Sequence, residues 1–182
     1  MTTDNLFKCN AKHSRAERAR PRQYFIDSIH TDASMLDAVY REMVRRDLPV
    51  LLTMSQENMA SIILASWGVE LRDEEVLRAI LGPTAYTEVV EARGEIIGYY
   101  SVEMQEGRSF INAIQVKKGH QGKGYGTAMM ERIEALALSR GIGLIELWVQ
   151  LTNRPAMAFY RHRGYRTMSR QGNNYLMRKN LF

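Results

Sequence analysis

FINAIQVKKGHQGKGYGTAMMERIEALALSRG, residues 110–141, decides how the rest of the chain is read. An apolar strand-like run, FINAIQV, leads into a glycine-rich loop over Gly119 to Gly126. Beyond it Met129, Met130, Ile133, Leu136 and Ala137 recur on one helical face up to Gly141. Gly122, Gly124 and Gly126 take three of five consecutive positions, a composition that costs helix stability unless the backbone must come close to something. Phosphate is the group that suits it. Without Cβ atoms the loop can turn N–H groups toward an anion, while the following helix offers its unpaired first-turn donors and the positive end of its dipole. Lys123 adds charge and Thr127 a hydroxyl. The spacing fits neither the nucleotide P-loop, which needs Lys then Ser or Thr after its last glycine, nor GxGxxG.

On either side the texture is organised. Upstream, TEVVEA, a turn at Arg93 and Gly94, and IIGYYSVEM predict a hairpin, and Gly107 begins the turn into FINAIQV, so three antiparallel strands precede the loop. Downstream, LIELWVQ predicts a buried strand, Arg154 to His162 a short helix, and YRTM with NYLMRKNL a closing pair around Gly172. Strand, loop, helix, strand inside an otherwise antiparallel sheet is the informative feature. The first half reads as helical. Asp32 or Ser34 caps a helix carrying Met35, Leu36, Val39, Met43 and Val44, a second helix starts at Ser55 and runs through Ile62, Ile63 and Trp67, and a third spans Leu71 to Leu81. Tyr24, Ile26 and Ile29 form a short strand-like run after a flexible leader.

The chain has 182 residues, enough for one domain, and a single cysteine, Cys9, which excludes an internal disulfide and a zinc site of paired cysteines. With no apolar run near the roughly 20 residues that span a bilayer, and no apolar signal segment, a cytoplasmic protein with no membrane partner is expected. The formal net charge of +5 is unevenly spread. Residues 1–22 hold six Lys/Arg against two acids, residues 23–152 twelve against eighteen, and residues 153–182 seven against none. An acidic body with no alternation of basic and aromatic residues argues against nucleic acid as a partner. The division expected is a flexible basic leader at 1–22 and one domain at 23–182.

A second motif follows the loop. After LWV come Asn153, Ala156, Phe159-Tyr160 and Gly164-Tyr165. Together with Gln121, Gly124 and Gly126, which match Gln or Arg, two residues, Gly, one residue, then Gly or Ala, the chain resembles the GNAT superfamily of acyl-CoA N-acyltransferases. The resemblance is firm over residues 86–182 and architectural over 23–85. It implies an α/β (α+β) GNAT fold, a mixed, mostly antiparallel sheet flanked by helices, with a splayed parallel strand pair binding CoA. Backbone groups of Ile114, Gln115 and Val116 would pair with pantetheine. The loop from Gln121 through Gly122, Lys123, Gly124, Tyr125 and Gly126 to Thr127 would hold the diphosphate, and Asn153 would bond the pantetheine arm. Tyr160 would protonate the departing thiolate, a role for which a phenol of pKa near 10 is still protonated at pH 7.

The activity implied is transfer of acetyl from acetyl-CoA, as co-substrate and without a metal, to a primary amine. Such an amine, with a pKa near 10.4, must lose a proton before it attacks. Relatives that carry a carboxylate on the strand before the loop differ from FINAIQV, which has none; Glu103 and Glu146 on neighbouring strands are the candidate bases, directly or through water. Where the branch that acetylates protein N-termini has a Glu, this chain has Trp148. With Glu146 and Gln150 on the same strand face, Trp148 suits a small cationic metabolite or antibiotic. A protein N-terminal or lysine acetyltransferase and a non-catalytic CoA-binding regulatory domain are the alternatives. Oligomeric state, a homodimer included, stays open.

Overall fold

The computed structural model describes residues 38–182. The expected basic leader, the domain start near Gln23 and the strand-like run at Tyr24 to Ile29 lie outside the described residues. The elements are β1 (Ala38–Glu42), a 3-10 turn (Arg45–Asp47), α1 (Leu48–Trp67), α2 (Asp73–Leu81), β2 (Ala85–Ala92), β3 (Glu95–Gln105), β4 (Arg108–Val116), α3 (Tyr125–Ser139), β5 (Leu144–Gln150), α4 (Arg154–His162), β6 (Arg166–Gln171) and β7 (Asn174–Asn180). They build one seven-stranded sheet in the order β1-β2-β3-β4-β5-β7-β6. Every neighbouring pair is antiparallel except β4 and β5. The expected mixed, mostly antiparallel sheet with a parallel pair inside it is therefore present, with helices packed on both of its faces.

Two corrections concern the first half. The segment read as a helix over Met35 to Val44 is the strand β1 from Ala38 on, with Tyr40 opposite Val90 in register. A helix of that length, about three turns, is too short to hold itself together in water. As a strand the same residues pair with the free edge of β2, put Tyr40 against the core beneath the Arg132 guanidinium at 5.0 Å, and leave Val39 in solvent. The helix expected to begin at Ser55 begins a full seven residues earlier, with Pro49 in its first turn, where a missing N–H costs nothing. Ser55 is an interior residue: its hydroxyl bonds the Leu51 carbonyl at 2.8 Å and the Tyr99 hydroxyl at 2.6 Å.

Two apolar layers cover the sheet. On one face α1 and α2 bury Leu51, Met54, Val76 and Ile80 against Val89 and Tyr99. On the other, α3 and α4 bury Tyr125, Met129, Met130, Ile133 and Tyr160 against Val102, Ile111, Ile145, Leu147 and Val149. A buried carboxylate pins α3 to the second face. Glu88 of β2 receives Arg132 of α3 and the hydroxyls of Tyr86 and Tyr100, at 2.6 and 2.5 Å.

The sheet is irregular in the middle of β4. Ser101 of β3 lies opposite Ala113 but Val102 lies opposite Ile111, so Asn112 is an extra residue bulged out of the strand. The bulge reverses the inside–outside alternation: Ile111 packs toward α3 while Ala113, two residues on, packs toward α1. The parallel pairing with β5 stops at the same place, its last partners being Ile111 and Leu147. A bulge bends and over-twists its strand. Here it turns the end of β4 away from the end of β5.

Candidate active site

Where β4 and β5 part, a cleft of about 820 Å³ opens. Its walls come from both sides of the sheet. Ile114, Gln115, Val116, Trp148, Val149 and Gln150 are the diverging strand ends, Glu57, Asn58, Met59, Ser61 and Ile62 belong to α1, and Gly122, Gly124, Gly126, Thr127, Asn153 and Tyr160 lie on the α3 and α4 face. The opening therefore passes through the plane of the sheet and joins two faces that are otherwise sealed by core.

The strand edge facing the cleft is read from backbone alternation. Lys117 donates its N–H to Ile97 of β3 at 2.8 Å, so the backbone groups of Val116 and Ile114 point the other way, into the gap. The Val116 carbonyl is already taken by two side-chain amides, Asn58 Nδ2 at 2.9 Å and Gln121 Nε2 at 3.0 Å. Asn58 also donates to Gln115 Oε1 at 3.0 Å, which fastens α1 to the end of β4.

The glycine-rich loop meets the cleft at the N-terminus of α3. Gly122 and Gly124 have φ of 73° and 90°, the left-handed region, and nothing lies within 4 Å of where a Gly122 side chain would begin. Gly124 caps α3 without any side-chain hydrogen bond, and the first intrahelical bond runs from Ala128 N–H to its carbonyl at 3.0 Å. First-turn amides such as those of Gly126 and Thr127 have no carbonyl a turn earlier to bond, and a helix start that no side chain caps, beside a volume of this size, fits an anionic diphosphate. Lys118 and His120 line the same end.

Not every residue singled out from the sequence reaches this wall. Ile114, Gln115, Val116, Gln121, Gly122, Gly124, Gly126, Thr127, Asn153 and Tyr160 do. The Tyr125 side chain is in the core instead, 3% exposed, and Lys123 points into solvent. Asn153 caps α4, its Oδ1 accepting the Ala156 N–H at 3.2 Å, which leaves its amide nitrogen as the donor. Tyr160 is buried against Phe159 and Tyr165, with ring centroids 5.4 and 5.9 Å away. Its hydroxyl has no hydrogen-bond partner among the described residues and opens on the cleft. Burial pushes this phenol well above the ordinary tyrosine value, so it stays protonated.

The two carboxylates stand elsewhere. Glu146 sits at the foot of the cleft, where β4 and β5 still pair; it is buried and bonded by Arg178 at 2.6 Å, with Arg108 at 3.5 Å. Glu103 lies one residue behind the wall, accepting from Asn112 Nδ2 at 3.0 Å. Among the described residues the one carboxylate on the wall is Glu57, on α1. Sequence reading passed over it, because an acid early in an apolar helix carries no signal of its own.

The sheet opens between two parallel strands, with a glycine-bearing helix start that no side chain caps at one side of the opening and, beside it, a phenol with no partner among the described residues; such a cleft suits a long, phosphate-bearing ligand. Comparison with known proteins gives the family: residues 38–165 match the model of the Acetyltransferase (GNAT) family, and the chain belongs to that family. It is similar to streptothricin acetyltransferase of Streptomyces lavendulae, 36% identical over 80 residues, 42% of this chain and 41% of that protein. It is also similar to mycothiol acetyltransferase of Clavibacter michiganensis subsp. michiganensis, 24% identical over 94 residues, 52% of this chain and 31% of that protein. The chain thus spans less than half the length of these relatives. In fold it resembles the PaiA N-acetyltransferase of Thermoplasma acidophilum, solved in complex with coenzyme A, with a TM-score of 0.64 at 16% identity over 79% of this chain and 98% of that one.

Proposed function

We propose that this chain is an acetyl-CoA-dependent N-acetyltransferase acting on a primary amine of a small cationic molecule, a metabolite or an antibiotic. The observation that carries the reading is the through-sheet cleft itself: an anion-suited helix start and the Tyr160 hydroxyl share one opening with an acceptor side on the opposite face. Acetyl-CoA supplies a thioester whose acyl carbon an unprotonated amine attacks, with release of the thiol. The chain's own groups supply positioning and proton handling.

In this reading the exposed edge of β4 pairs with the pantetheine amides through the Ile114 backbone and the Val116 N–H, the Val116 carbonyl being held by Asn58 and Gln121, while Gln115 is turned to Asn58. The loop from Gln121 to Thr127 holds the diphosphate, with Gly122 and Gly124 keeping the backbone accessible, and Asn153 donates its amide N–H to the arm. Tyr160 donates its hydroxyl proton toward the sulfur. Its raised pKa makes it a weaker acid than a free phenol, but the burial that raises it also disfavours the charged thiolate, so the two shift together. The base role suits Glu103 better than Glu146. Glu103 is one hydrogen bond from the wall through Asn112, whereas the arginines on Glu146 hold it in its ion pair.

The test is calorimetric titration with acetyl-CoA, then thiol release with a panel of spermidine, kanamycin, lysine and a short peptide. Micromolar binding and turnover on the cationic small molecules are expected. Absence of binding overturns the reading, binding without transfer to any amine points to a regulatory CoA-binding domain, and turnover on the peptide alone points to a protein substrate.

A further inference from the structure

Helix α1 spans the gap between the parted strands and is fastened on both sides of it. On the β4 side Asn58 holds Val116 and Gln115. Beyond β5, Thr152 bonds the Ile62 carbonyl at 3.5 Å and the Ser66 hydroxyl at 2.5 Å, and Asn173 bonds the Ser66 carbonyl at 2.5 Å. Along this stretch the helix presents Glu57, next to the Asn58 fastening, and Ser61, one turn on, to the cleft. Glu57 is exposed and makes no ion pair or hydrogen bond with any described residue. Trp148 of β5 alternates with Leu147 and Val149, which pack toward α3, so its half-exposed ring lies on the α1 side of the same opening.

We infer that Glu57 is the specificity-determining residue of the acceptor side: its carboxylate, with the Trp148 face, receives a positive charge of the acceptor other than the reacting nitrogen. This rests on the acetyl-transfer reading and sharpens it, because the acid expected beside Trp148 was Glu146, which two arginines occupy. A carboxylate without a partner on the wall of a part-enclosed cleft attracts a cation more strongly than one in open solvent, and an exposed aromatic face adds to it. The polarity of the opening agrees: Lys118, His120 and the α3 start lie on the loop side, and the acid lies on the helix that closes the other face.

The test compares kcat and KM for spermidine, which carries charges beyond the reacting amine, with those for benzylamine, which carries none, in the wild type, Glu57→Gln and Glu57→Lys. Glu57→Gln should raise KM for spermidine at least tenfold, about 1.4 kcal/mol, with kcat altered less than KM. The rise for benzylamine should be far smaller, so the spermidine-to-benzylamine ratio of kcat/KM falls about tenfold, and further in Glu57→Lys. Acetyl-CoA affinity and melting temperature report any general damage. An unchanged ratio in Glu57→Gln, equal losses on both amines, or a wild type that prefers benzylamine overturns the role of Glu57 while leaving acetyl transfer standing. A wild type that binds acetyl-CoA but acetylates neither amine, nor any other, overturns both.

Discussion

Tyr160 separates two demands that one side chain meets. Its ring is core, wedged between Phe159 and Tyr165, while its hydroxyl has no partner among the described residues and borders the cleft. Removing the oxygen alone should therefore leave the fold nearly untouched, since no hydrogen bond is lost. Tyr160→Phe is expected to melt within a couple of degrees of the wild type, to bind acetyl-CoA as well, and to lose 10²–10⁴-fold in kcat, the range of a general acid. Because burial raises its pKa above the ordinary tyrosine value, the phenol is expected to stay protonated at neutral pH. Full turnover in the variant removes Tyr160 from the chemistry. The sequence singled Tyr160 out only through the family-like motif that also carries Asn153, and the structure adds that both residues line one cleft. Glu57 was not singled out, since its meaning comes from where α1 crosses the sheet, a tertiary fact with no local pattern.

Among the elements, those whose periodicity is long and clean were readable: β2 to β5, α3 and α4 stand where hydrophobic pattern and glycine turns put them. The errors fall where local and tertiary preference compete. Apolar spacing around Val39 satisfies a helix period, but pairing with β2 and the burial of Tyr40 favour a strand. The Asn112 bulge, which parts β4 from β5, carries no sequence mark beyond a polar residue in an apolar strand. Contact between elements also predicts acid sensitivity. Burial opposes ionisation of Glu88, but hydrogen bonds from Arg132, Tyr100 and Tyr86 outweigh it and hold its carboxyl below the ordinary glutamate value. A depressed folded-state pKa means the unfolded chain binds the proton first, so this contribution is complete above the ordinary carboxylate range and is lost as pH falls through the depressed value. Glu88→Gln should cost about 2–3 kcal/mol at pH 7, less than a fully buried pair because the Arg132 side chain is 45% exposed. Its stability should then vary less with pH below 4 than that of the wild type. Parallel urea-unfolding curves for the two proteins across that range would refute the assignment.

For the molecule as a whole, the opening through the sheet has a thermodynamic consequence. A ligand threaded there touches β4, the α3 start and α4 together, and that constellation exists only in the folded chain, so binding must stabilise it by mass action. At a hundredfold excess over Kd the gain is about 2.7 kcal/mol, which for a domain of this size raises Tm by about 5–10 °C. Gly124→Ala provides the control. A side chain at φ 90° is strained, so the variant should melt lower on its own, by the 1–2 kcal/mol typical of a non-glycine residue in that region. A loop that only makes a tight turn would show that loss and keep the full rise with acetyl-CoA. A loop that brings its backbone against diphosphate would show the loss and also forfeit most of the rise, because the added methyl and the shifted amides act on the bound state. Differential scanning of both proteins with and without acetyl-CoA distinguishes the two, and an undiminished rise in the variant would assign the glycines to chain geometry and move the anion site elsewhere.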